Sequence, residues 1–339
     1  MAVGMREVAA HAGVSLRTVS NVVNDYPHVS PAMRERVQRS LDALGYRMNT
    51  AARSLSAGRT GMVALAIPDF TTPYFAELAH AVVTAAERRK FTVLIEVTHG
   101  ERERELAVLG GGRTHLTDGV LLSPLALTAE DLAGAQPRVP AVLLGDLVAQ
   151  GPLDHVGVPN REAARVAVEH LLALGRRRIA ALGVQSGSRG TAALRLEGYC
   201  DALAAAGIRP LRRWRFGAEE WSREAGAAAV ERMLAAPGPR PDAVFAFSDT
   251  LALGALRALL HAGVDVPGEV ALVGFDDVEE ARYTSPSLSS VSPATGEIAE
   301  SALVLLEEQV ERPRARGLGR QVSTPYALQV RESTAGVEA

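Results

Sequence analysis

From Gly61 onward, the chain consists of short apolar runs that alternate with helical patterns, and the alternation occurs as two consecutive series. The runs are MVALAI, FTVLIEV, GVLLSP, AVLLGD and HVGV in the first series, and RIAALGV, WRF, AVFAFSD and VALVGFD in the second. Buried strands alternating with helices are typical of parallel sheets covered on both faces. The pattern predicts two doubly wound α/β lobes, with ligand-binding loops at the carboxyl ends of the strands and a cleft between the lobes.

The first 60 residues have a different pattern, which predicts three short helices. The segment MREVAAHAG ends at Gly13, which favours a helix stop, and Ser15 is placed to cap a second helix that runs to about Val23. Ser30-Pro31 is a further start signal, before a helix with one apolar stripe. Three short helices with a tight turn between the first two predict a helix-turn-helix unit.

The charge of the chain is unevenly distributed. Residues 1–60 contain eight arginines and four acidic residues, a net charge of +4, so the remaining residues carry −7 of the total of −3. A basic head on an acidic body favours a polyanionic partner for the head alone.

Several motifs together resemble the lactose-repressor (LacI/GalR) family of transcription regulators. They are REVAAHAGVSLRTVSNVVND, HVS, LGY and AARSL, followed by GMVALAIPDFTTPYFAEL and VALVGFDD, and the resemblance extends from about Arg6 to Glu332. It implies an N-terminal all-α helix-turn-helix head and a two-lobed α/β body like that of periplasmic binding proteins, with doubly wound parallel sheets.

The resemblance also implies domain boundaries. The helix-turn-helix domain would comprise residues 1–48, and a hinge helix or linker residues 49–60. The effector-binding and dimerisation domain would comprise residues 61–339, with an N-lobe of about 61–160 and 292–322 and a C-lobe of about 161–291 and 323–339.

For DNA binding, the resemblance makes the helix that begins near Ser15 the recognition helix. Leu16, Arg17 and Asn21 would face base edges, and Arg17 is suited to bidentate pairing with a guanine. Positions that match phosphate contacts or shape the turn are Ser15, Thr18, Ser20, Asn24 and His28. Leu55 matches a minor-groove wedge that kinks the duplex, and Ala52 lies one turn before it.

For effector binding, the resemblance assigns residues in loops that follow strands. Tyr74 and Phe75 would pack against a ligand ring, and Trp221 would stack on it. The remaining candidates are Arg189, Thr191, Arg195, Asp249 and Asp276. Arg195 would hold ligand oxygens and Asp276 would accept hydrogen bonds, a combination suited to a neutral polyhydroxylated ring.

The chain departs from the family pattern at two places. Pro159-Asn160 stands where many relatives have an Asp-Asn pair, so one expected hydrogen-bond partner is missing, and Ser248 stands where some sugar-responsive relatives have asparagine. Because of both departures, the ligand of any one relative is a weaker guide to the ligand of this chain.

The resulting hypothesis is a homodimeric or higher-order repressor of carbohydrate-related genes, which binds double-stranded operator DNA and responds to a sugar or sugar derivative. A nucleoside or purine effector is the alternative within the same architecture. No apolar run reaches the length of a membrane span and the N-terminus lacks a secretory pattern, which indicates a cytoplasmic protein without membrane contact.

Two other classes of protein fit the sequence less well. An enzyme would need a catalytic motif, and the chain has no G-x-G-x-x-G, P-loop or G-x-S-x-G pattern and no paired histidines at metal-binding spacing. We therefore expect no catalytic residues, no metal and no cofactor. A transport-type sugar-binding protein would share the lobes, but it would not need residues 1–60.

Overall fold

The computed structural model describes residues 3–23, 26–46, 59–111, 116–145, 151–186, 190–312 and 318–336. The chain divides into two compact units, Met1–Thr60 and Gly61–Ala339. Within the described ranges, no helix is long and apolar enough to cross a membrane.

The described part of the first unit is helical. Its helices are α1 (Met5–Ala12), α2 (Leu16–Val23) and α3 (Pro31–Ala43). Gly13 ends α1 with a φ of 61°, a left-handed conformation that glycine adopts without strain. The Ser15 hydroxyl accepts a hydrogen bond from the Thr18 backbone N–H at 3.1 Å, and Ser30 caps α3 in the same way through Met33. The predicted helix-turn-helix unit is confirmed.

A small apolar core joins these helices, made of Val8, Ala9, Ala12, Val19, Val22, Val37 and Leu41. Its members lie one, three or four residues apart on each helix, so each helix turns one face inward. The opposite face of α2 is left toward solvent.

The second unit contains two sheets of six strands in its described residues. The strands of the first sheet are β1 (Met62–Ile67), β2 (Thr92–Val97), β3 (Gly119–Leu122), β4 (Ala141–Leu144), β5 (Asp154–Gly157) and β11 (Gln321–Ser323). The strands of the second are β6 (Ile179–Val184), β7 (Arg215–Gly217), β8 (Ala243–Ala246), β9 (Ala271–Phe275), β10 (Ser289–Ser292) and β12 (Ala327–Gln329).

The strand orders are β11-β5-β4-β3-β1-β2 and β12-β10-β9-β8-β6-β7. All paired strands are parallel except β12, which is antiparallel to β10. In each sheet the chain order reverses beside the first strand of its series, which is the topology of a doubly wound fold. The predicted α/β architecture is confirmed. We call the parts built on the first and second sheets the N-lobe and the C-lobe.

Helices cover both sheets. They are α4 (Pro73–Arg88), α5 (Arg102–Leu109), α6 (Ala129–Ala133), α7 (Asn160–Ala173), α8 (Thr191–Ala205), α9 (Arg223–Ala235), α10 (Asp249–His261), α11 (Thr295–Glu311) and α12 (Glu332–Ala335). Two short 3₁₀ helices occupy Arg212–Trp214 and Glu279–Arg282.

The chain passes between the lobes in the segments after β5, after β10 and after β11, because the strands on either side of each segment belong to different sheets or cores. Residues of α11 pack with α4 in the core of the N-lobe, although α11 follows a strand of the C-lobe. The two lobes are therefore each built from separated stretches of sequence.

Candidate functional site

The α2 helix of the first unit presents a polar surface. Val19 and Val22 are buried in the small core, whereas Leu16 is 46% exposed and Arg17 is exposed. Thr18, Ser20 and Asn21 are partly exposed. The first turn of α2 thus carries an apolar and a cationic side chain into solvent, as a recognition helix needs for contacts with base edges.

The residues around this turn are held in place by local contacts. The hydroxyl oxygens of Ser15 and Thr18 lie 2.9 Å apart, in addition to the capping bond. The exposed ring of His28 packs edge-on against Tyr26, with ring centres 5.5 Å apart. Three further predicted DNA contacts lie outside the described residues, namely Asn24, Ala52 and Leu55.

In the second unit, Arg195 lies at the centre of a polar cluster. Its side chain is buried, its Nε donates to Asn160 Oδ1 at 2.6 Å, and Nη1 donates to the backbone carbonyl of Phe247. Its Nη2 lies 3.6 Å from Asp276 Oδ1. Asn160, Phe247 and Asp276 follow β5, β8 and β9, so the cluster forms where strands end, at the usual ligand-binding edge of such sheets.

Aromatic rings surround the Arg195 guanidinium. Its central carbon lies 3.4 Å from the centre of the Phe275 ring and 5.4 Å from that of Trp221. The Trp221 indole donates to the Gly183 carbonyl at 3.1 Å, which fixes the ring, and its centre lies 6.4 Å from that of Phe247. A guanidinium against ring faces gains cation–π attraction that offsets part of the loss of hydration.

Asp249 holds the loop that follows β9. It is fully buried, its Oδ1 accepts from the Ser290 hydroxyl at 2.7 Å, and its Oδ2 accepts from the Val278 N–H at 3.0 Å. Both carboxylate oxygens therefore have protein partners. In this structure Asp249 supports the loop that carries Asp276.

The two buried carboxyl groups have raised pKa values. Burial raises the pKa of Asp276 to about 7, although Arg195 acts in the opposite direction. Burial, followed by the charge of Asp276, raises the pKa of Asp249 well above its usual range. The low polarisability of the interior disfavours two neighbouring negative charges, so the pair retains protons more readily than exposed carboxyl groups do.

The backbone that presents Asp276 has an unusual conformation. Asp276 has a φ of 113° and Asp277 a φ of 51°, values that cost about 1–3 kcal/mol for a residue other than glycine. The Asp277 carboxylate forms ion pairs with Arg331 and, at 3.6 Å, with Arg282. The backbone N–H of Asp277 donates to Ser290 Oγ at 3.0 Å. These contacts hold the turn in place.

The N-lobe contributes the start of α4. Asp69 accepts hydrogen bonds from the N–H groups and hydroxyls of Thr71 and Thr72, which fixes the loop between β1 and α4. Tyr74 packs against the cores of both lobes, and its ring centre lies 5.3 Å from that of the partly buried Phe75. Tyr74 is therefore an apolar contact between the lobes.

One turn later, Glu77 contacts the C-lobe through a polar group. Its Oε1 accepts from the Glu279 N–H at 2.8 Å, and its charge acts on Asp276. Burial raises the pKa of Glu77, and repulsion from Glu280, Asp277 and Glu279 adds to the rise, while the bond from Glu279 lowers it.

A cavity of about 280 Å³ adjoins the Arg195 cluster on the side where the chain crosses between lobes. Its lining includes Asn160 and Leu194, and residues of β5 and β11. Among the described residues, no group of His, Cys, Asp and Glu side chains is arranged to hold a metal ion.

Most of the predicted effector residues that the structure describes come together. Arg195, Trp221, Asp249 and Asp276 form one cluster, and Thr191 lies one turn before Arg195 on α8. Arg189 lies outside the described residues. Ser248 caps α10 by accepting from Leu251 N at 3.2 Å.

Sequence reasoning missed four members of the cluster, namely Asn160, Phe247, Phe275 and Glu77. In the sequence, Asn160 stands out only as half of a pair that lacks its aspartate, yet it provides the amide oxygen that orients Arg195. Its position three residues after the end of β5 was the available signal. Nothing in the local pattern around Glu77 distinguishes it from a solvent-exposed helix residue.

Comparisons with known proteins agree with this architecture. Residues 4–49 match the model for bacterial regulatory proteins of the lacI family, and residues 168–334 match that for a periplasmic binding protein-like domain. The ribose operon repressor of Halalkalibacterium halodurans is 33% identical over 337 residues, which cover 98% of each chain. This chain belongs to the lacI family.

Solved structures of the family extend the comparison. A complex of the transcriptional regulator CelR with cellobiose has a TM-score of 0.71 and 31% identity, covering 98% of this chain and 99% of that one. The lac repressor dimer bound to operator has a TM-score of 0.84 and 26% identity, covering 99% and 100%. The family members found in this way are regulators of transcription rather than enzymes.

Proposed function

We propose that this protein is a ligand-responsive repressor of transcription, which binds a near-palindromic operator as a homodimer and a sugar or sugar derivative between its lobes. The observation that carries the proposal is the combination, in one chain of the lacI family, of an exposed Leu16-Arg17 surface with the buried Arg195 cluster. The first suits DNA and the second suits a small polar ligand.

The DNA-binding step would use α2. A helix that buries its valines and exposes Leu16 and Arg17 can enter the major groove without disturbing its own core. The neighbouring hydroxyl and amide groups are short enough to let the helix approach phosphates closely. The lac repressor structure of similar fold is a dimer bound to operator, and two symmetric copies of α2 would read the two halves of a near-palindrome.

The effector step would use the residues that follow β5 of the N-lobe and β8 and β9 of the C-lobe. A fixed indole ring, a guanidinium and a carboxyl group can together hold the face and the hydroxyl groups of a sugar ring. Two relatives support this class of ligand by name, the ribose operon repressor and the CelR–cellobiose complex. Tyr74 and Phe75 would pack against the ligand from the side of the N-lobe.

The two steps would be coupled through the segments that link the lobes. A ligand that alters the angle between the lobes would alter residues 49–60, which we propose as the hinge between a DNA-binding domain of residues 1–48 and the body of residues 61–339. Leu55 would insert into the minor groove. The coupling must be reciprocal, so DNA changes the affinity for the ligand by the factor by which the ligand changes that for DNA.

Two further points complete the proposal. The protein would act in the cytoplasm, where the operator is, and it would bind its ligand without converting it. Incubation of each bound ligand with the protein should therefore return the ligand unchanged by mass spectrometry, and a new product would contradict this point.

The test begins with operator selection from random duplexes by the full-length chain. We expect a near-palindromic consensus, bound by two chains per duplex in sedimentation analysis. A truncated chain that starts at Gly61 should lose all affinity for that duplex, and retained binding would show that the DNA-binding region is assigned wrongly.

The effector is then sought in a thermal-shift panel of sugars, sugar derivatives, nucleosides and purines, read together with tryptophan fluorescence. A true ligand at about 100 times its Kd stabilises the folded protein by about 2.7 kcal/mol. It should also change operator affinity. A compound that stabilises the body without changing operator affinity would contradict the regulatory part of the proposal.

A further inference from the structure

The described cations around the Arg195 cluster are all engaged by protein groups. Arg195 is held by Asn160, by the Phe247 carbonyl and by Asp276. The Asp277 carboxylate forms ion pairs with Arg331 and Arg282. Within the described residues, this edge of the sheet therefore presents no cation that is available without breaking an existing ion pair or hydrogen bond.

Arg223 completes this set of cations. Its guanidinium lies 3.6 Å from a carboxylate oxygen of Glu280, although both side chains are about half exposed. This partly exposed cation thus also faces an acidic partner.

Unlike these cations, a hydrogen-bond acceptor beside the cluster has an oxygen without a described donor. Glu77 uses Oε1 for the Glu279 N–H, and Oε2 receives no hydrogen bond from another described residue. Asp276 Oδ1 lies 3.6 Å from Arg195 Nη2, and the Asp276 carboxyl group also accepts a hydrogen bond from the Asp249 backbone N–H. Glu77 belongs to α4 of the N-lobe and Asp276 follows β9 of the C-lobe, so acceptor oxygens approach the contact between the lobes from both sides.

We infer that the cleft selects a neutral or cationic ligand that donates hydrogen bonds and rejects an anionic one such as a phosphate ester, and that Glu77 determines this selection. The inference rests on the proposed function, since it concerns the ligand of the same cleft. It adds the charge class of the ligand and a residue that sets it.

The physical reason is a balance of desolvation and pairing. A phosphate group that leaves water needs cations or several N–H donors in return, and the described arginines beside the cluster are already paired with protein carboxylates. It would also lie near the Glu77 and Asp276 carboxyl groups. A hydroxyl or ammonium group would instead donate a hydrogen bond to a carboxylate oxygen that has no protein donor.

The experiment uses the full-length protein and isothermal titration calorimetry. The probes are glucose and galactose, each with its 2-amino and 6-phosphate derivative, with cellobiose as a larger neutral sugar. We expect the 6-phosphate to bind at least about tenfold more weakly than its parent sugar and the 2-amino derivative to bind as well or better, as repulsion and attraction by a nearby carboxylate require.

Two isosteric variants separate the role of Glu77 from a general change in charge. Glu77→Gln should reduce the discrimination between parent sugar and phosphate by about tenfold. Glu87→Gln removes the same charge from an exposed position of the same helix and should leave the discrimination unchanged. Circular dichroism and the melting temperature confirm that both variants fold.

Each outcome decides the matter. A 6-phosphate that binds as tightly as its parent sugar would overturn the inference and leave the proposed function standing. Equal discrimination in the wild type and Glu77→Gln would overturn the role of Glu77. If the protein binds its selected operator but none of these sugars or derivatives, the sugar-binding part of the proposed function fails, and the inference fails with it.

Discussion

The guanidinium carbon of Arg195 lies 3.4 Å from the centre of the Phe275 ring. This contact places a full positive charge in the interior of the C-lobe, where it is compensated by an amide oxygen, a backbone carbonyl and the Asp276 carboxyl group. The same side chain joins α8 to the loops after β5, β8 and β9. Arg195 is thus a structural link between these loops as well as a candidate ligand contact.

Removal of Arg195 should destabilise the body. Arg195→Met retains much of the volume of the side chain but leaves the Asp276 carboxyl group buried without its cation. We expect the free energy of unfolding to fall by about 3–5 kcal/mol, the usual effect of breaking a buried pair. Urea unfolding followed by tryptophan fluorescence measures the change.

A double variant tests the coupling within the pair. Arg195→Met with Asp276→Asn removes both charges, so it should be less destabilised than the sum of the two single variants. Strict additivity of the three measured changes would contradict an energetic link between Arg195 and Asp276.

The raised pKa of Asp276 predicts a pH dependence of stability. The folded pKa of about 7 lies above the ordinary value of 3.8, so the folded state binds the proton more tightly than the unfolded state. The contribution of this group is therefore complete below pH 3.8 and is lost as the pH rises toward about 7. The slope reaches at most about 1.4 kcal/mol per pH unit.

Asp276→Asn isolates this contribution, because other carboxyl groups titrate in the same range. The difference in unfolding free energy between wild type and Asp276→Asn should shift in favour of the variant as the pH rises through that window. A difference that is independent of pH would contradict the raised pKa.

Arg17→Ala tests the recognition surface. If Arg17 pairs with a guanine, the variant should lose about 1–3 kcal/mol of discrimination at one symmetric base pair, measured by competition among single-base operator variants. Arg39→Ala removes an exposed arginine from α3 and should leave base preference intact. Uniform weakening of all sequences by Arg17→Ala would assign it to a phosphate.

Gly254→Ala tests the packing of α9 against α10. A Cβ at Gly254 would lie 1.8 Å from the Arg223 backbone carbonyl oxygen, which cannot move without shifting α9. We expect the unfolding free energy to fall by about 1–3 kcal/mol, because overpacking outweighs the better helix propensity of alanine. Thermal and urea unfolding measure it.

The matched control is Gly296→Ala in α11, where a Cβ meets no atom within 4 Å. This variant should be unchanged or slightly more stable. Equal destabilisation of both variants would show that the loss at Gly254 does not come from the contact with Arg223.

The sequence by itself determined the architecture. The helix-turn-helix head and the α/β lobes follow from periodic burial and from local signals such as Gly13 and Ser30, which act over a few residues. The strands β10, β11 and β12 escaped prediction, because each is short and contains a single large apolar residue; they read Ser-Ser-Val-Ser, Gln-Val-Ser and Ala-Leu-Gln.

Only the tertiary structure decided the roles within the cleft. Asp249 and Asp276 both follow strands, yet Asp249 has both oxygens bound to the protein whereas Asp276 faces Arg195. Glu77 accepts a hydrogen bond from the N–H of Glu279, which lies 202 positions later in the sequence. Such contacts depend on where the ends of distant strands and helices come to lie, which no local pattern encodes.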